Sequence, residues 1–184
     1  MWFQMHPTAG MAALRRFPIN PELEAVLLPR ALHACFPEST GLYSDRDVAR
    51  VRIAVSGLRF EARLEIAHAP KTCARFAAML PLKARIIQAR WSGEAGWIPF
   101  GELALDLGYE NHTSYPAAGQ LLLYPGGLSE TEILFPYGAT VFASKMGQLA
   151  GNHFATIEDG AEQLAALGKL VLWEGAQDIT FEAV

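Results

Sequence analysis

Cysteine is scarce in this sequence. There are two in 184 residues, Cys35 and Cys73. Two thiols so placed make no disulfide framework, and they read as reduced, small hydrophobes. With no Cys-x-x-Cys and no His/Cys cluster, no zinc ligand set is written, and no metal or other cofactor is expected. A basic excess is missing too. The chain carries 15 Lys and Arg against 19 Asp and Glu, a net charge of −4. That excludes a general nucleic-acid binder, though not a local basic pocket for an anionic ligand.

Long apolar runs are also lacking. No stretch of about 18 apolar residues exists, so no transmembrane helix and no membrane partner are expected. The first segment does not read as a secretory signal. Pro18, Pro21 and Pro29 interrupt its apolar runs, and its arginines fall mid-segment. The resulting expectation is a cytoplasmic protein. What the chain does have is core material: 51% hydrophobic against 18% charged residues, enough for one ordinary domain and against global disorder.

Residues 1–49 show no clear period, and prolines break them. "NPELEAVLLPRALHACF" allows one or two short helical turns. A poorly ordered or loosely packed N-terminal extension is the expectation, with a misplaced start or a functional arm as alternatives. From Arg50 the character changes. "VRIAVSGLRFEARLEI" gives two strand-like runs around Ser56-Gly57, a hairpin signal. Leu58, Phe60, Ala62 and Leu64 alternate with charged residues, so one face is buried and one wet. The spacing of Cys73, Phe76, Ala77 and Leu80 predicts a helix over Pro70–Met79, opened by Pro70 and stopped by Pro81. "RIIQARWSG" and "AGWIPF" read as strands joined near Gly93. An excursion, Glu102 to Ala118, carries "YENHTSYP" at its tip. "GQLLLYPGG", "TEILFPYG", "NHFATI" and "ITFEAV" are further strands, with a second helix over Gly160–Gly168. Many short strands and two helices, without βαβ units, predict a closed antiparallel β-barrel over residues 50–184.

Three phrases carry a resemblance. "APKTCARFAAML", "GQLLLYPGGLSETEILF" and "LAGNHFATIEDGAEQLAAL" resemble, in order, the first helix, a strand pair, and the histidine strand with second helix of the cyclophilins. "ARWSGEA", "LLYPGG" and "FASKMGQLAGNHFATI" are similar to an uncharacterised bacterial group of cyclophilin-like proteins, a domain-of-unknown-function family. The resemblance implies a mainly β, cyclophilin-like closed barrel with two short α-helices.

It implies much less about activity. The X-Pro bond faces a barrier of about 18–20 kcal/mol, which cyclophilins lower with an arginine over an apolar, aromatic seat. His153 matches the cyclophilin histidine by the Leu-x-Gly-x-His phrase. Arg90 matches the arginine, with Arg85 competing. Gln148 stands where the resemblance puts a tryptophan, and "WSGEAGW" replaces the Phe-x-x-Gln pattern. Glu94 adds a charge that a proline seat does not want. Little or no prolyl isomerase activity is therefore expected. The favoured reading is a barrel-side pocket for a small polar or anionic ligand, or a peptide, built from Arg90, Glu94, Tyr124, Glu132, Asn152 and His153. Arg90 would clamp a carboxylate with its planar fork, Lys145 beside Asn152 could read an anion, and His153 would take Arg90 or Glu94 as its polar partner. Two alternatives stay open: an active peptidyl-prolyl isomerase, and a noncatalytic, self-associating module using Trp97 and Tyr137.

Overall fold

The computed structural model describes residues 48–184. The N-terminal extension expected over residues 1–49 lies almost wholly outside them.

The chain from Arg50 builds a mainly β fold. Its strands are β1 (Arg50–Val55), β2 (Leu58–Leu64), β3 (Leu82–Gln88), β4 (Gly93–Gly101), β5 (His112–Thr113), β6 (Gln120–Tyr124), β7 (Thr131–Thr140), β8 (Ala143–Ser144), β9 (Gly147–Gln148), β10 (Gly151–Asp159) and β11 (Gln177–Ala183). Helix α1 is Pro70–Ala77, and α2 is Leu164–Trp173. The antiparallel order is β2-β1-β11-β3-β4-β7-β6-β10, and β2 pairs again with β10 to close the ring. This is the closed antiparallel barrel with two helices that the strand pattern predicts. β5 adds to β10 outside the ring, while β8 and β9 form a separate small hairpin.

The first hairpin shows why the sequence folds this way. Ser56 and Gly57 both adopt left-handed φ values, 43° and 94°, which match the twist of a two-residue hairpin. Val51, Ile53, Val55, Phe60, Ala62 and Leu64 then point inward and are buried. Across the barrel, Phe60 meets Phe135 edge-on at 5.6 Å. Helix α1 starts with Pro70 in its first turn and sends Phe76 against Phe154 (4.6 Å) and Phe181 (5.5 Å), packing its apolar stripe onto the barrel core.

The second helix differs from expectation. Ala161–Gln163 forms a tight 3₁₀ turn, and α2 runs on through Gly168 to Trp173. Gly168 does not stop the helix because it serves packing. A Cβ there would lie 2.5 Å from the Tyr137 ring, so the missing side chain lets α2 approach β7 closely.

β6 and β7 do not alternate between apolar and polar. Leu121 to Tyr124 and Thr131 to Pro136 are all buried. A strand that is apolar on both faces is covered on both. One face lines the barrel interior. On the other face Leu122, Tyr124, Leu134, Ala95 and the half-buried Trp97 pack with Ala89, Phe142 and Leu149. This second apolar layer positions the candidate site.

Candidate functional site

A cleft of about 270 Å³ lies beside this outer layer. β4 and β7 supply Trp97, Glu132 and Leu134. The segment Ala89–Ser92 supplies Arg90 and Trp91, the loop before β7 supplies Ser129 and Glu130, and the β8–β9 hairpin supplies Ser144 and Lys145. Ser92 ties two of these walls together. Its hydroxyl donates to the Ala143 carbonyl (3.0 Å) and accepts from the Ala143 N–H (3.2 Å), while its carbonyl accepts from Val141 N–H (3.1 Å). The sequence pattern puts Arg90 and Trp91 in a strand and on opposite faces. They lie instead in the turn after β3, where both reach the cleft and Ser92 is buried.

Glu132 lies at the cleft and is only 5% exposed. The Trp97 indole N–H donates to its Oε2. Burial raises the Glu132 carboxyl to about 7; the indole bond opposes that rise, and the Glu130 charge adds to it. Oε1 accepts from no side chain or backbone donor among the described residues. Yet no buried side-chain oxygen or nitrogen there is left unpartnered, so Oε1 opens onto the cleft. Glu130 spends Oε2 on the Gly101 N–H (3.1 Å). Arg90 and Lys145 are exposed, and neither forms an ion pair among the described residues.

Tyr124 stands behind this site rather than in its lining. Its buried ring meets Phe142 edge-on at 5.7 Å. Its hydroxyl accepts from the Leu128 N–H at 3.1 Å, fixing the loop that delivers Ser129 and Glu130. Glu94 has another task. Its Oε2 accepts from the Ala139 N–H at 2.6 Å and fills the space over Gly138, clipping an irregularity in the β4–β7 ladder.

Asn152 and His153 belong to two further networks. Asn152 is fully buried. Its amide donates to Thr72 Oγ1 (3.0 Å) and the Gly108 carbonyl (2.9 Å), and its oxygen accepts from Glu110 N–H (3.0 Å). The Glu110 carboxylate in turn accepts from the Thr72 N–H and hydroxyl, both at 2.8 Å. Asn152 thus staples the excursion loop to α1, and it does not sit beside Lys145 at an anion site.

His153 pairs with neither Arg90 nor Glu94. Its Nε2 lies 2.9 Å from Thr156 Oγ1, and that hydroxyl donates to Glu65 Oε1 at 2.6 Å. A hydroxyl that donates to a carboxylate must accept from the ring, so Nε2 carries the proton. Arg63 grips both oxygens of Glu65, at 3.0 and 3.1 Å, and reaches Glu158 at 2.8 Å. Burial pushes the Glu65 carboxyl up, but the Thr156 and Arg63 bonds outweigh it and hold the group below the usual carboxylate range. Burial pushes His153 down, against the pull of Glu65, so the ring is neutral at neutral pH. Nearby Cys73 is buried, and its thiol is pushed up to about 12, which makes it inert. No group of three or more His, Cys, Asp or Glu positioned to hold a metal occurs among the described residues.

The sequence profile of a family described as "Protein of unknown function (DUF3830)" matches residues 51–183. The chain belongs to that family. No curated protein matches it. Among solved structures, the DUF3830 barrel is similar to the structure of McbB in complex with tryptophan. The TM-score is 0.54 at 16% identity, over 72% of this chain and 44% of McbB. The chain therefore spans less than half the length of McbB. It is also similar to the solution structure of the hypothetical protein AF2241 from Archaeoglobus fulgidus. There the TM-score is 0.51 at 20% identity, over 77% of this chain and all of that one. At these identities the likeness concerns the fold.

Of the six residues that sequence reasoning singles out in this DUF3830 chain, Arg90 and Glu132 line the cleft, Tyr124 buttresses it, and Glu94, Asn152 and His153 serve other contacts. Trp91, Ser129, Glu130 and the Trp97 partner of Glu132 are missed as site residues. One signal was available. In a strand that is buried on both faces, a lone glutamate such as Glu132 must find a donor or hold a proton.

Proposed function

We propose that this barrel binds a small anionic ligand in the cleft between β4, β7 and the β8–β9 hairpin. The observation that carries the reading is the juxtaposition of two cations, Arg90 and Lys145, that have no carboxylate partner among the described residues, with a tryptophan-walled floor holding one buried carboxyl. An anion satisfies the cations while its apolar part covers Trp91 and Trp97, the mix of apolar wall and few polar groups that small-molecule sites use. The fold reading is cyclophilin-like, with little or no prolyl isomerase activity. In support, the residues matched to the cyclophilin pair are not joined: Arg90 lines the cleft, while His153 lies outside its lining and is engaged with Thr156. The cytoplasm is the proposed location; no described helix is long and apolar enough to cross a membrane. Self-association is a second reading, favoured by the exposed Leu172 and Trp173 on α2 rather than by Trp97 and Tyr137, which are engaged with Glu132 and Gln88.

The deciding experiment incubates the full chain with a small-molecule cell extract and identifies retained compounds by mass spectrometry. An acid should be retained by the parent protein and lost from the Arg90→Ala/Lys145→Ala double variant. Nothing retained, or equal retention by the variant, overturns the reading.

A further inference from the structure

The two oxygens of Glu132 have different surroundings. Oε2 is held by the Trp97 indole, and Oε1 faces the cleft with no donor among the described residues. A carboxyl in this position has two uses. Ionised, it repels any anion that enters. Protonated, it keeps its bond to Trp97 through Oε2 and offers an O–H into the cleft from Oε1.

The charges around it select between these states. Arg90 and Lys145 face the cleft from the Ala89–Ser92 turn and the β8–β9 hairpin, and Glu130 faces it from the loop before β7. Trp97 faces it from β4, and Tyr124, opposite Glu132 in the β6–β7 register, has its hydroxyl engaged by Leu128. No histidine among the described residues lines the cleft. With Glu132 neutral, two cations stand against one carboxylate, which suits a monoanion. A bare amine would meet both cations first. The tryptophan walls and a volume of about 270 Å³ suit a flat organic body rather than an inorganic oxyanion.

Resting on the anion-binding reading above, we infer that the ligand is a monocarboxylic acid that binds together with a proton, shared between its carboxylate and Oε1 of Glu132. No covalent bond changes. When Glu132 starts ionised, one proton comes from solvent for each ligand bound. When it starts neutral, none does. The Glu132 carboxyl, raised to about 7, places this switch inside the working range of the assay. The pH response is assigned to Glu132, whose carboxyl faces the cleft.

The test uses calorimetric titration of the full chain with benzoate, its neutral analogue benzamide and its cationic analogue benzylamine. Benzoate stays ionised over the range used. Its affinity should fall about tenfold per pH unit above about 7, with near-constant affinity below about pH 6. Benzamide should show no such fall. In buffers of different ionisation enthalpy, about one proton should be taken up per benzoate above pH 8 or so. This readout needs no variant. Glu132→Gln presents a permanent N–H donor in place of the acid, so benzoate should bind it with the parent's low-pH affinity and no pH dependence. Flat binding by the parent protein, a pH dependence retained in Glu132→Gln, or benzylamine binding better than benzoate would each overturn the inference. Benzoate failing at every pH also overturns it, while the extract experiment judges the cleft separately.

Discussion

The Trp97 indole N–H donates to Glu132 Oε2, and no other side-chain donor reaches this carboxyl among the described residues. The folded value of Glu132, about 7, lies above the ordinary 4.5, so the folded state keeps a proton that the unfolded chain releases. Stability from this group is fully present below about pH 4.5 and is lost as pH rises through about 7. At ~1.4 kcal/mol per unit, the loss is roughly 3 kcal/mol. Urea unfolding at several pH values should show the parent chain weakening across that window relative to Glu132→Gln. Parallel curves for the two proteins would contradict the burial of an ionisable carboxyl.

The Glu65–Thr156–His153 chain behaves oppositely. Both Glu65 and His153 have folded values below their ordinary ones. Their stabilisation is present above the ordinary values and is lost on acidification, first through His153 below 6.5 and then through Glu65 below 4.5. Glu65→Gln should cost about 1–3 kcal/mol at neutral pH, because Arg63 and Thr156 lose a charged acceptor. His153→Ala should lower stability and leave retention of the cleft ligand unchanged. An NMR titration placing the His153 ring above 6.5, or a ligand lost with His153, would show that this network has been misread.

Gly168→Ala is a mid-helix change that helix propensity alone would favour by about 1 kcal/mol. Here the new Cβ meets the Tyr137 ring at 2.5 Å. Crowding should win, with a net loss of about 1–2 kcal/mol visible as a lower melting temperature. A rise in melting temperature would mean that α2 can shift away from β7 without penalty.

Much of the barrel was legible because one face of each early strand alternates. Leu58 to Leu64 announces its own inside and outside. The pattern ends the second helix at Gly168, whereas the helix runs on to Trp173, since glycine punctuates a sequence whether it stops a helix or makes room for a ring. The site was harder still. Arg90 and Glu132 are 42 positions apart and meet through a turn and a ladder that local pattern does not specify. Sequence reasoning assigns Asn152 and His153 to one pocket, with Lys145 beside the first and Arg90 or Glu94 beside the second. One is committed to α1 and the excursion loop, the other to Glu65 by way of Thr156, and only the register of β10 separates those fates.

The placement of β11 carries a consequence for how the protein is made. It lies between β1 and β3, with Ile53 opposite Phe181 and Ala84 opposite Ile179. A ribosome delivers β1 and β3 long before the strand that joins them. Until β11 arrives, both present unpaired backbone edges and the apolar wall beside them stays open to water. Closure must wait for pairings that span most of the barrel sequence, the kind that forms slowly and keeps strand edges exposed meanwhile.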